Sequence, residues 1–159
     1  MHDYGVGYSV SDYLFGSESD FEVTDWTITN PPFRLAEDFI ERALCLSRVG
    51  AAVIVRSAFL EGQGRYYRLF GDNPPSQVLQ FTERVVMHKG RLSPKGSTAT
   101  AYAWLVWLKG GPPPVVTRLG WIAPTKDRLE VPSDYAELNC VSSDCPMFDF
   151  EGSAKLVME

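Results

Sequence analysis

The sequence holds little that would support metal binding, disulfide bonding or membrane insertion. It has three cysteines and two histidines in 159 residues, and only Cys140 and Cys145 lie close together, as a single C-x4-C pair. A zinc site normally needs four ligands, so we expect no metal centre and reduced thiols. No apolar run reaches the roughly 18 residues that span a bilayer, and the N-terminal residues lack the segments of a signal peptide. These absences predict a cytoplasmic protein without a membrane partner.

Charge is distributed unevenly along the chain, although the net charge is only −5. Residues 56–118 carry nine Lys and Arg against three Asp and Glu, whereas residues 1–55 carry three against nine. Residues 119–159 are acidic again, with three against eight. A basic central region is compatible with a polyanion-binding face, and equally with a solvated surface. Hydrophobic residues make up 45% of the chain, which is enough for the core of one globular domain.

One region has the pattern of a strand, a helix and a second strand. Residues 26–29 are β-formers, and the Asn-Pro-Pro that follows them ends a strand because proline has no N–H donor. Apolar residues then recur at helical spacing over 35–46, and we expect Gly50 to terminate that helix. The apolar run 50–55 does not alternate, as is typical of strands buried on both faces of a parallel sheet. This order predicts a βαβ unit.

The rest of the chain predicts further short elements. We expect one short helix and three extended runs, at 65–70, 77–87, 99–109 and 115–123. The short connection between the first two extended runs favours an antiparallel pair. Beyond residue 124 no periodicity holds and acidic residues dominate. We therefore predict a folded region over 1–124 and an irregular, acidic C-terminal appendage over 125–159.

The tetrad Asn30-Pro31-Pro32-Phe33 follows a predicted strand and precedes a predicted helix, which is where open α/β sheets bind ligands. The side-chain carbonyl of Asn30 and the main-chain carbonyl of Pro31 can accept two hydrogen bonds from one exocyclic amine, while Phe33 offers a stacking face. Two acceptors direct the lone pair of the amine toward an electrophile by orientation and electrostatics. The alternative is that Asn30 is a helix N-cap and that the prolines only begin the helix.

The stretch TDWTITNPPF resembles motif IV of the S-adenosylmethionine-dependent amino-methyltransferases, in which such a tetrad follows the fourth strand of a Rossmann-like sheet. The order downstream, a helix, AAVIVRSAFLEG, a short helix and the STATAYAWLVW strand pair, is similar to adenine-N6 DNA methyltransferases of bacteria and phages. The resemblance covers about residues 1–124. It implies an α/β fold with a partial Rossmann-like sheet, mostly parallel with a C-terminal antiparallel hairpin. It also implies that Asn30, Pro31, Pro32 and Phe33 hold an adenine flipped out of DNA.

Two features of that family are missing here, the Gly-rich loop after the first strand and the acidic residue after the second. Gly5 and Gly7 form a bare G-x-G without the flanking elements. By the resemblance, any contact with S-adenosylmethionine would involve Asp12, Tyr13 and Asn30. The chain therefore looks like the C-terminal half to two-thirds of a methyltransferase. Without its first strands the sheet would expose an edge unless another chain covers it.

Three functions follow from the resemblance and stay open at this point. The first is adenine-N6 methylation of DNA, by the chain alone, by a homo-oligomer or with a complementing chain. The second is a catalytically inactive remnant that binds nucleic acid or a partner protein. The third is methylation of an RNA base or a glutamine side chain, because Asn-Pro-Pro-aromatic tetrads also occur in such enzymes.

The connection between 77–87 and 99–109 contains Lys89, Arg91 and Lys95, which suits a loop that contacts DNA phosphates. A solvated hairpin tip is the alternative. If the loop binds duplex DNA, replacing all three cations by alanine should reduce the slope of log affinity against log salt by about two to three, since each phosphate contact contributes about 0.9. Fluorescence anisotropy over a range of salt concentrations measures the slope. An unchanged slope would show that the loop does not contact DNA.

Overall fold

The structure is a computed structural model that describes residues 11–16, 21–87 and 96–131. The strands in these ranges are β1 (Thr24–Thr29), β2 (Ser47–Arg56), β3 (Gln77–Phe81), β4 (Tyr102–Leu108) and β5 (Arg118–Ile122). The α-helices are α1 (Ala36–Leu46), α2 (Gln63–Arg65) and α3 (Lys126–Leu129). Short 3-10 turns lie at Phe33–Leu35 and Ser57–Leu60, and a π-helical turn lies at Tyr66–Phe70.

The strands form one mixed sheet in the order β1-β2-β4-β3-β5. β1 is parallel to β2 and β5 is parallel to β3, whereas β4 is antiparallel to both of its neighbours. All strands except β4 therefore end at the same side of the sheet, which we call its carboxyl end. The predicted α/β class, the βαβ unit and the antiparallel pair are confirmed, and the sheet is compatible with a Rossmann-like fold.

The core lies on the face of the sheet that α1 covers. Strand residues pointing to this face alternate along β2, where Ala51, Val53 and Val55 are fully buried. Val53 and Val55 are register partners of Leu105 and Ala103 on β4, so the two strands bury one continuous surface. The core combines these side chains with apolar residues of α1 and the two turns: Ala36, Ile40, Val53, Val55, Phe59, Leu69, Val78, Ala103, Leu105 and Trp107.

The predicted end of the first helix is wrong. Helix α1 ends at Leu46 and β2 begins at the next residue, so Gly50 lies inside the strand. Lys109 closes the end of the helix instead, because its Nζ donates hydrogen bonds to the carbonyls of Leu44 at 2.7 Å and Ser47 at 2.5 Å. The carbonyl groups at a helix end can thus receive hydrogen bonds from a cation that is distant in sequence, and local sequence patterns do not predict such a contact.

The strand predicted over 77–87 is shorter than expected, and β3 ends at Phe81. Its partner β4 begins only at Tyr102. The last register pair of β3 with β4 is Gln80–Ala103, and the residue before β4 stays bonded to the chain after β2, since the carbonyl of Ala101 accepts a hydrogen bond from the N–H of Ser57 at 2.8 Å. Residues 82–87 do not pair with β4, although their composition favours a strand.

β1 is an edge strand in the part of the chain that the structure describes. On the sheet face opposite α1 it carries Ile28, which is 67% exposed, and Trp26, which is 39% exposed. An apolar edge of this kind is open to pairing with another chain. None of the helices within the described ranges is long and apolar enough to cross a membrane.

Gly50 has no room for a side chain. A Cβ at this position would overlap the carbonyl oxygen of Trp107 and would lie 2.7 Å from the ring of Trp26. Trp26 and Gly50 are register partners on β1 and β2, so the indole ring covers the glycine directly. The glycine therefore allows β1, β2 and β4 to pack closely.

We expect Gly50→Ala to lower the free energy of unfolding by about 1–3 kcal/mol, because the added methyl group must push against backbone atoms in a packed sheet. Gly111→Ala is a matched control, since a Cβ there meets no atom within 4 Å and its φ is not positive. Urea unfolding followed by circular dichroism measures both variants. Equal stability of the two would contradict the close packing at Gly50.

Candidate functional site

The tetrad Asn30-Pro31-Pro32-Phe33 lies at the carboxyl end of β1, as predicted. β1 ends at Thr29, and the next residue, Asn30, is exposed while Pro31 is buried. A 3-10 turn then begins at Phe33 and leads into α1. The prolines have a fixed φ, so the backbone that carries the Asn30 side chain is held rigidly.

Asn30 does not cap the helix that follows it. The N-cap positions are Pro32 for the 3-10 turn and Leu35 for α1, and neither element has a side-chain cap. The amide nitrogen of Asn30 instead lies 3.8 Å from Sδ of Met87. No donor among the described residues hydrogen-bonds the Asn30 Oδ1. The N-cap alternative is therefore wrong, and the side-chain oxygen has no partner within the described ranges.

Phe33 packs against residues from two strands. Its ring centroid lies 5.7 Å from that of Tyr102, and the guanidinium of Arg56 lies over its ring at 4.6 Å from the centroid. Arg56 and Tyr102 are register partners on β2 and β4, so they project from the same face of the sheet. The motif predicted the role of the ring but not that of Arg56, although the place of Arg56 directly after the predicted strand 50–55 was a usable signal.

The first turn of α1 is tied to the segment that follows β2. Glu37 accepts hydrogen bonds from Nε of Arg65 at 3.1 Å and from Nε of Arg68 at 2.9 Å. Arg65 also donates to the carbonyl of Phe59 at 2.7 Å, with its guanidinium 4.0 Å from the centre of that ring. The Arg68 side chain is 64% exposed, so its ion pair adds little stability. The network fixes the start of α1 relative to the end of β2.

Asp12, predicted to contact a cofactor, makes local contacts instead. Its Oδ1 accepts hydrogen bonds from the N–H groups of Leu14 at 3.0 Å and Phe15 at 3.1 Å. Its carbonyl accepts a third, from the N–H of Gly16 at 2.8 Å. These bonds close a turn of the kind in which aspartate commonly occurs.

Tyr13, also predicted to contact a cofactor, packs on α1. Its ring stacks on Phe39 with 5.0 Å between centroids, and Arg42 lies over it at 5.9 Å. Burial raises the pKa of Tyr13 above its ordinary value, since the hydroxyl is enclosed near Thr27 without a hydrogen bond of standard geometry. Arg42, which helical periodicity assigns to the solvent side, instead anchors this segment by donating to the carbonyl of Gly16 at 2.7 Å.

Asp12 and Tyr13 do not contact Asn30 within the described residues. Oδ1 of Asp12 is engaged within its own turn, and the Tyr13 ring is packed in an aromatic cluster. No hydrogen bond, ion pair or ring contact within 11–16, 21–87 and 96–131 links either residue to Asn30. Cavities of about 210 and 280 Å³ are present, and the tetrad contributes no residue to either. Neither of these two cavities includes Asp12 or Tyr13.

Several residues singled out in the sequence lie outside the described ranges, namely Lys89, Arg91, Lys95, Cys140 and Cys145. Met87, the last described residue before the basic loop, lies beside Asn30. Of the predicted appendage, residues 125–131 are described. Within the described part of the chain, no group of three or more His, Cys, Asp and Glu side chains could hold a metal ion.

We expect the isolated chain to bind S-adenosylmethionine weakly or not at all, because Asp12 and Tyr13 do not form a pocket with Asn30 and the sequence lacks the Gly-rich loop. Isothermal titration calorimetry of the full chain with the cofactor measures this directly. A dissociation constant in the low micromolar range would contradict the expectation and would mean that the cofactor site is built from other residues.

Comparison with protein-family models found no match, and comparison with curated proteins found none either. The interpretation of the site therefore depends on the chemistry of the tetrad and on its position at the end of β1.

Proposed function

We propose that this chain carries the target-base side of an adenine-N6 DNA methyltransferase that uses S-adenosylmethionine. The observation that supports the proposal best is the exposed amide of Asn30 at the carboxyl end of β1, held by two prolines and followed by an aromatic ring. Ligands of open α/β sheets bind at this end. A cytoplasmic location and a bacterial or phage origin go with this proposal.

The tetrad offers the groups that an exocyclic amine needs. Asn30 Oδ1 and the carbonyl of Pro31 would accept the two N–H groups of adenine N6 and so direct its lone pair toward the methyl donor. The bond from N6 to the methyl carbon would form as the carbon–sulfur bond of the sulfonium donor breaks and its electron pair goes to sulfur, and the proton released from N6 would pass to water, so both acceptors would stay neutral. Because the amine is oriented in this way, the reaction needs no general base with a shifted pKa. Met87, next to the amide nitrogen of Asn30, supports the orientation in which Oδ1 is free.

The aromatic ring would hold the flipped base. Phe33 is only partly buried, and its contacts with Tyr102 and Arg56 fix its position beside Asn30. A flipped base is held in such sites by stacking and by hydrogen bonds to its Watson–Crick edge. Adenine in DNA is preferred over an RNA base or a glutamine side chain because the downstream order of elements resembles the DNA enzymes.

The cofactor side would come from residues other than Asp12 and Tyr13. The unpaired edge of β1, with Ile28 67% exposed, supports pairing with a complementing chain or with a second copy of this chain. The same observation favours a second candidate function, an inactive remnant that binds nucleic acid or a partner protein. The two differ in one respect: only the first gives methylation once the cofactor side is supplied.

In a complemented form that methylates DNA, Asn30→Ala should lower turnover roughly 10²- to 10³-fold, the usual cost of one oriented polar group at a reacting centre. Phe33→Ala should affect KM more than kcat, because the ring contributes binding. Methylation of adenine-containing duplexes with radiolabelled cofactor measures both constants.

The chain provides a matched control for this experiment. Asn73-Pro74-Pro75 repeats the same tripeptide before β3, at the opposite end of the sheet, and the carbonyl of Asn73 accepts a hydrogen bond from Trp107 Nε1 at 2.9 Å. Asn73→Ala keeps that carbonyl and should leave turnover unchanged. Near-normal methylation by Asn30→Ala would contradict the proposed function.

A further inference from the structure

Three arginines in segments next to the tetrad have no acidic partner among the described residues. Arg34 directly follows Phe33, Arg56 is the last residue of β2, and Arg84 lies between the end of β3 and Met87. All three are exposed, and none forms an ion pair within the part of the chain that the structure describes. They are therefore positive charges that a ligand can reach.

Contacts link the segments that carry these arginines to the tetrad. The guanidinium of Arg56 lies 4.6 Å from the centre of the Phe33 ring, next in sequence to Arg34. The segment carrying Arg84 runs toward the tetrad, since Met87 contacts the amide nitrogen of Asn30. Arg84 is itself held by a hydrogen bond from Nη1 to the carbonyl of Ala99 at 3.0 Å. Three separate segments that adjoin the tetrad thus each carry an exposed arginine.

Two nearby carboxylates do not neutralise these charges. Glu37 is bound by Arg65 and Arg68. Glu83 accepts hydrogen bonds from the N–H groups of Thr125 at 2.8 Å and Lys126 at 3.1 Å. Both carboxylates are therefore engaged in contacts that stabilise the fold. Two exposed acids are close in sequence: Glu61 lies beyond the 3-10 turn that follows β2, and Asp38 lies in the first turn of α1, where it forms no ion pair with the described arginines.

Within the described ranges, two cations at the amino end of the sheet are engaged in contacts and one is not. Arg48 pairs with Asp25 at 2.9 Å, and Lys109 donates to main-chain carbonyls at the end of α1. Arg118, at the start of β5, is exposed and its side chain has no partner among the described residues. It provides a free arginine far from the tetrad along the strand direction.

We propose that Arg34, Arg56 and Arg84 bind phosphates of a DNA strand that passes over the carboxyl end of the sheet. The guanidinium fork suits phosphate oxygens, and phosphate contacts set the position of a protein on DNA without reading its sequence. The proposal rests on the proposed function and assigns the groups that hold the backbone while the tetrad holds the base.

The test measures duplex binding by the full chain as a function of salt, with a duplex made only of G·C pairs. Replacing each of the three arginines by glutamine should reduce the slope of log affinity against log salt by about one, and the triple variant should reduce it by about three. Arg118→Gln removes the same charge from the opposite end of the sheet and should leave the slope unchanged.

The outcomes separate this proposal from the proposed function. The G·C duplex contains no adenine, so loss of slope in the arginine variants supports the phosphate contacts even if Asn30→Ala retains full methylation in the complemented enzyme. Equal slopes for Arg34→Gln and Arg118→Gln, or no duplex binding by the unaltered chain, would overturn it. Arg34→Gln removes no contact among the described residues, so its effect does not arise from misfolding, and circular dichroism verifies this.

Discussion

The double pairing of β2 is the interaction on which the rest of the structure depends. β2 is parallel to β1 on one side and antiparallel to β4 on the other, with seven register pairs from Gly50–Leu108 to Arg56–Tyr102. Parallel pairing requires a crossover, which α1 supplies, and that crossover covers one face of both strands. Antiparallel pairing brings the later part of the chain back along β2. One buried strand thereby sets the order of the sheet and the face on which the core forms.

The candidate site is a consequence of this arrangement. Parallel strands end together, so Asn30 after β1 and Arg56 at the end of β2 lie at the same end of the sheet. The antiparallel strand β4 begins there, which places Tyr102 beside Arg56 and under Phe33. Residues far apart in the chain thus meet where strands end or begin. The Asn30 side chain remains exposed because its helix needs no side-chain cap.

Charge at the two ends of the sheet is used in different ways. Some cations stabilise the fold, such as Lys109 at the end of α1 and Arg65 on Glu37. Others, including Arg56, lie at the surface without an acidic partner in the described part of the chain. The net charge of −5 hides this difference, because a total carries no information on where each charge lies. A local field around the tetrad can be positive although the protein as a whole is acidic.

Local patterns predicted much of the fold. The apolar run of β2, the helical spacing of α1 and the prolines after β1 each act within a few residues, and the βαβ unit followed from them. The position of the tetrad was predicted for the same reason. The predicted element boundaries were wrong where contacts distant in sequence set them. Glycine commonly ends helices, yet Gly50 lies inside β2, where the Trp26 ring and the Trp107 carbonyl leave no room for a side chain.

The sequence by itself thus determined the element types and the tetrad, since propensity and periodicity are local. Only the tertiary structure decided that Asn30 Oδ1 has no hydrogen-bond donor among the described residues, that Asp12 and Tyr13 make contacts elsewhere, and that Arg56 lies over Phe33. These outcomes depend on which strands pair and in which register, and that choice is made by burial of the whole sheet rather than by any short segment.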